Sequence, residues 1–149
     1  MKKICMIVAA LCAAFCCALP TFAADRKAPV YETFSPDMVM EIMKEEGYSV
    51  SLDDDGDICW KVDGYKTWIT FYKENRSIQF YTIFESDAGL DKHNEFNKNY
   101  RYARSYMPKS GSARVEMDLS FYGGITKKRL LDSFKDWKAI FSLWREKVL

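Results

Sequence analysis

Histidine is nearly absent, and past the first 23 residues so is cysteine: His93 and Cys59 are the single members of each type. One imidazole and one thiol are too few for a zinc centre of the usual four ligands. The other cysteines, Cys5, Cys12, Cys16 and Cys17, fall in an N-terminal apolar run, which leaves the remainder without an internal disulfide. Glycine is sparse, and Gly123-Gly124 lacks the lysine and the spacing of a phosphate-binding loop. No G-x-S-x-G elbow supports a Ser-His-Asp hydrolase. The net charge is only +1, and Lys2 and Lys3 in the N-terminal run account for it, so no cationic excess exists to hold a nucleic acid. These gaps argue against an enzyme, a metal site and a bound cofactor.

What is present begins with an address. Met1-Lys2-Lys3 is a cationic start, Ile4 to Leu19 is uncharged, and Pro20 is followed by Thr21-Phe22-Ala23 ahead of Ala24. This is the layout of a secretory signal cut at Ala23/Ala24. The apolar run is shorter than the roughly 20 residues a membrane span requires. The reading is a periplasmic or secreted bacterial protein without membrane attachment after cleavage. Residues 24–34 read as a flexible lead-in and residues 35–149 as one domain. The chain as a whole is 48% apolar, enough for a packed core.

Ser35-Pro36-Asp37 starts a helix with a capping hydroxyl, proline at the first helical position and an acid at the positive end. Gly47 stops it. Four strand-like stretches follow: Tyr48 to Leu52, Ile58 to Val62, Lys66 to Tyr72 and Ser77 to Phe84, with Asp63-Gly64 as a tight hairpin turn. Asp53, Asp55 and Asp57 around Gly56 resemble the middle of a calcium loop. Ser51 and Val62 at its two ends lack the required ligands, so the stretch reads as a turn. Helical spacing then runs from Leu90 to Met107, and Pro108 ends it. Ala113 to Phe121 alternates as a half-buried strand, and Thr126 caps a last helix with Leu130, Phe134, Trp137, Phe141 and Trp144 on one side. The order is α-β-β-β-β-α-β-α. It predicts an α+β fold, an antiparallel sheet of about five strands with three helices packed on one face.

Alternation places Cys59, Lys61, Arg114, Glu116 and Asp118 on the face away from the helices, and Trp68, Tyr72 and Tyr81 with them. Aromatics among charges suit a contact surface, so Trp68, Tyr72, Tyr81, Lys61 and Arg114 are the candidate partner-binding residues. Alternatively they pack across strands and only cover the sheet. Asn97, Arg101, Glu116 and Asp118 form a candidate structural network. In it Asn97 bonds sheet backbone, and the acids pair with Arg101 and Arg104 of the second helix.

Glu46-Gly47-Tyr48, Asp55-Gly56, Asp63-Gly64, Ser77-Ile78-Gln79-Phe80, Asn94 with Phe96-Asn97, Arg101-Tyr102-Ala103, Glu116 with Asp118, Gly123-Gly124-Ile125-Thr126 and Trp137 occur in this order. In that order and spacing they resemble the bacterial YbjN-domain family from about Met38 to Val148. Phe96 departs from the tryptophan the family tends to have there. The resemblance implies a fold similar to type III secretion chaperones and a role in sensory transduction, with no catalytic residues to carry over. The export signal departs from the many cytoplasmic members. The leading expectation is an exported, non-enzymatic module binding a protein or peptide, or a second copy of itself. The rivals are a small-ligand sensor with a pocket between helices and sheet, and a thiol enzyme using Cys59 with His93.

Overall fold

A computed structural model describes residues 28–109 and 111–149. The leader and the start of the lead-in lie outside the described residues. The elements run β1 (Val30–Tyr31), α1 (Pro36–Glu45), β2 (Val50–Leu52), β3 (Ile58–Val62), β4 (Tyr65–Tyr72), β5 (Ser77–Glu85), α2 (Leu90–Asn99), β6 (Arg104–Tyr106), β7 (Ser112–Ser120), β8 (Ile125–Thr126) and α3 (Lys127–Val148). Six strands form one antiparallel sheet in the order β2-β3-β4-β5-β7-β6, and β1 pairs with β8 in a small second sheet.

Local chemistry sets the boundaries. The Ser35 hydroxyl accepts the Met38 N–H at 3.2 Å to open α1. The Thr126 hydroxyl accepts the Arg129 N–H at 3.1 Å to open α3. One Asp53 carboxylate oxygen takes the N–H groups of Asp55 and Asp57, so that side chain closes the β2–β3 turn from within. Asp63 and Gly64 both adopt positive φ, 50° and 85°, the turn that matches strand twist between β3 and β4.

The sheet's alternation then makes two unlike faces. Ile58, Trp60, Ile69, Ile78, Phe80, Val115 and Met117 point to one side and are buried. Against them α3 lays Phe134, Trp137, Phe141 and Trp144, all fully buried. Phe80 stacks on Trp137 at 5.8 Å and Phe84 on Phe141 at 6.0 Å. Burying each such aromatic contributes about 1.5–3 kcal/mol, so this seam is the main attachment of α3. Val39, Ile42 and Met43 of α1, and His93 and Phe96 of α2, complete the same layer. All three helices therefore cover one face.

Two details differ from the sequence reading. The second helix stops at Asn99 instead of running to Met107, and Arg104–Tyr106 is a sixth strand on the sheet edge. Asparagine is a weak helix former, Tyr100 leaves the helix in an extended conformation (φ −120°), and Tyr102 turns the chain with φ of 70°. The lead-in, read as flexible, is tied down from Val30 onward: β1 pairs with β8, and Phe34 is buried against the Phe121 ring at 5.1 Å.

Candidate functional site

The face opposite the helices carries most of the residues singled out above. Strand register sets Cys59 opposite Trp68, Trp68 opposite Tyr81, and Tyr81 opposite Glu116. Trp68 and Tyr81 lie nearly flat on each other, 5.5 Å between centroids and 16° between planes. The Arg114 guanidinium sits over the same tyrosine ring at 4.4 Å, a cation–π contact of about 0.5–2 kcal/mol. Arg114 then reaches Glu116, its Nε 2.6 Å from Oε1 but without hydrogen-bond direction, so that contact is ionic. Glu116 is only 2% exposed, although it lies on the wet side of the sheet. Arg104 Nε donates to Oε2 and the Tyr106 hydroxyl to Oε1, the latter at 2.7 Å. A continuous strip of aromatic, cation and carboxylate thus crosses β4, β5, β7 and β6.

Its electrostatics follow from that packing. Burial pushes the Glu116 carboxyl upward, but the hydrogen bonds from Tyr106 and Arg104 and the charges of Arg114 and Arg104 outweigh it. Glu116 is held below the ordinary carboxylate value and stays ionised. The Tyr81 phenol moves well above its ordinary range through burial, its hydrogen bond to Asp57 at 2.9 Å, and the charges of Asp57 and Asp53. Tyr81 therefore stays a neutral donor. Neither Glu116 nor Tyr81 is thereby poised as a base or nucleophile near neutral pH.

The remaining candidates fall in separate places. Lys61 is exposed and directly opposite Lys66, and Tyr72 is 47% exposed at the far end of β4. Asp118 is exposed on the same face and accepts from Gln79 Nε2 at 2.8 Å. Asn97 is on α2 and clasps the backbone of Ser105. Arg101 lies exposed in the α2–β6 connection and makes none of the ion pairs of the described residues. Glu116 pairs with Arg104 and Arg114 instead. Tyr106 is not among the sequence candidates, and Asp57 and Gln79 enter there only as part of the acidic turn and of the family landmarks. Tyr106 had a signal in Arg104-x-Tyr106, a period-two spacing that was masked by the helix assigned across it.

Cys59 and His93 do not meet. Cys59 is on the wet face of β3. His93 is buried on the helix side, its Nδ1 2.6 Å from Ser105 Oγ of β6, with β4, β5 and β7 between the two strands. The Trp144 indole N–H donates to the same hydroxyl at 2.6 Å. The serine proton is then free to go to Nδ1 of a neutral imidazole. A cleft of about 520 Å³ also lies between β7 and α3, beside Tyr102, Met117, Leu119, Arg129 and Asp136.

Residues 35–149 match the family described as "YbjN: Putative bacterial sensory transduction regulator". The chain belongs to the YbjN family. YbjN itself, described as "a putative transcription regulator from E. coli", superposes with a TM-score of 0.65 at 15% identity, over 78% of this chain and 91% of that one. The likeness to that structure concerns fold alone. The Yersinia pestis type III secretion chaperone SycH, solved in complex with a stable fragment of YscM2, aligns at TM-score 0.49 and 12% identity, covering 69% of this chain and 95% of its own. No curated protein matches the sequence. In this YbjN-family domain the helix-covered face builds the core, and the opposite face carries Trp68, Tyr72 and Tyr81 among charged groups.

Proposed function

We propose that this YbjN-family protein is an exported, non-enzymatic module that docks a protein or peptide on the wet face of its sheet. One observation carries the reading: the Trp68–Tyr81 stack, flanked by Arg114 and exposed Lys61 and Lys66, lies on the side of the sheet away from the helices. Aromatic and arginine side chains in one patch are the composition of interface hot spots. The family's description as a regulator, and the absence of a Cys59–His93 pair, fit recognition better than chemistry.

A photo-crosslinking residue at Tyr72 or Lys61 should capture a protein from envelope extracts, and one at Lys135 on α3 should not. Trp68→Ala should abolish the capture. Equal labelling from both faces, or none from either, counts against the docking face. Intact mass of the exported protein should begin at Ala24, and an uncut leader or a cytoplasmic location would remove the export part of the proposal.

A further inference from the structure

The wet face is ruled into bands by the register. Cys59, Trp68, Tyr81 and Glu116 form a central row across β3, β4, β5 and β7. Two residues to one side along each strand stand Lys61, Lys66, Ile83 and Arg114. Two to the other side stand Asp57, Thr70, Gln79 and Asp118. The first band is cationic and the second acidic. Lys61 and Lys66 face each other directly, an arrangement unfavourable in itself.

We propose that a second copy of this chain docks here, sheet to sheet, about a two-fold axis running along the central row. A half-turn about that axis returns each strand over its own counterpart and exchanges the two bands. Lys61 then faces the second copy's Asp57, and Arg114 faces the second copy's Asp118. Trp68 and Tyr81 meet their own equivalents. Any other partner needs the bands in reverse order by coincidence, whereas a second copy has them by symmetry. Glu116 and Arg104 stand opposite each other in the central row and neutralise one another on the axis, so two copies can approach there.

The size suits a dimer of modest strength. The five strands β3, β4, β5, β7 and β6 hold 34 residues, and at about 3.4 Å per residue and 4.8 Å between strands they give a face of roughly 550 Å². That is below the about 800 Å² per partner of a standard interface and in the range of weak, reversible association. The inference rests on the reading of this face as a docking surface and names its occupant.

The axis puts Cys59 beside its own counterpart, which supplies the test. The exported protein is followed by sedimentation velocity over a concentration series at low and high salt, and treated briefly with bismaleimidoethane. A dimer that weakens with salt and crosslinks through Cys59 is expected. Cys59→Ser combined with Tyr72→Cys keeps a thiol on the face but moves it off the axis, and should give no crosslink. Lys61→Asp should weaken the dimer by about tenfold, and adding Asp57→Lys should restore it. Circular dichroism checks the fold of each variant. If Asp57→Lys misfolds, Asp118→Arg alone must weaken the dimer. A monomer at every concentration, or a dimer indifferent to Lys61→Asp and to the position of the thiol, overturns the proposal. A monomer whose capture of another protein is still lost on Trp68→Ala removes the second copy and leaves the docking face standing. A monomer without such capture removes both.

Discussion

The side-chain amide of Asn97 closes on the backbone of Ser105 from both directions. Its Nδ2 donates to the Ser105 carbonyl and its Oδ1 accepts the Ser105 N–H, each at 2.8 Å. The contact reproduces a strand's own pairing and fastens α2 to the outer edge of β6. Asn97→Ala leaves both backbone groups without those partners and should cost about 1–3 kcal/mol. Asn97→Asp keeps the acceptor but sets a carboxylate oxygen against the Ser105 carbonyl, so it should not recover the loss. Urea unfolding gives the totals, and hydrogen exchange should show faster opening at Ser105 in both variants.

Glu116 makes stability depend on acid. Its folded pKa is below the ordinary 4.5, so its contribution is complete above that value. The contribution declines as pH falls through the depressed folded value, because the unfolded chain takes up the proton first. Glu116→Ala should lower stability at pH 7 by roughly 2–3 kcal/mol, less than for a fully sequestered pair, because the Arg104 side chain is 61% exposed and can rehydrate. Denaturation from pH 7 down to 3 should be flatter in the variant than in the parent.

His93 acts in a separate window. Burial pushes its pKa below the ordinary 6.5, so the unfolded state binds the proton more readily and stability falls as pH drops below 6.5. As the single histidine, it can be followed through its own imidazole NMR signal, which should titrate below 6.5. His93→Gln should remove the slope of stability between about pH 6.5 and 5 and leave the Glu116 limb untouched. A histidine signal titrating above 6.5 contradicts this assignment.

Gly124 holds β1 in place by having no side chain. Its φ is 81°, and an added Cβ would run into the Val30 side chain. Gly123 has a similar φ of 79° with open space around it. Gly123→Ala should therefore cost only the left-handed backbone penalty of roughly 1–2 kcal/mol. Gly124→Ala should cost more and should loosen the β1–β8 pairing, visible as faster exchange at Tyr31 and Ile125.

Much of this was open to reading in the chain because periodicity is a local property. The stripe from Leu130 to Trp144 and the alternation from Ala113 to Phe121 each state one face unambiguously. Neighbours across strands are different. The acids of β7 are expected from sequence to pair with Arg101 and Arg104 alike, and no local feature says that only Arg104 reaches Glu116, from a strand and not a helix; a three-residue edge strand is too short to break a helical pattern. Residues from Tyr100 to Met107 repeat at helical spacing, so β6 was hidden until Asn97 and β7 supplied its partners. The same limit explains Arg101: it is near Arg104 in sequence, but the turn at Tyr102 sends it elsewhere.

The strand order also bears on how the chain finds its shape. β3, β4 and β5 are joined by short turns, and β6 and β7 form their own hairpin, so each half can assemble from neighbours in sequence. The halves meet along the ladder between Ser77–Glu85 and Ser112–Ser120, in the β1–β8 pair, and where α3 packs its aromatics on β3 and β5. Those contacts join residues far apart in sequence and carry the largest loop-closure cost of the fold. A chain severed in the link at residues 86–89 would retain both halves of the zipper, so two separately made fragments have what they need to rebuild the domain by complementation.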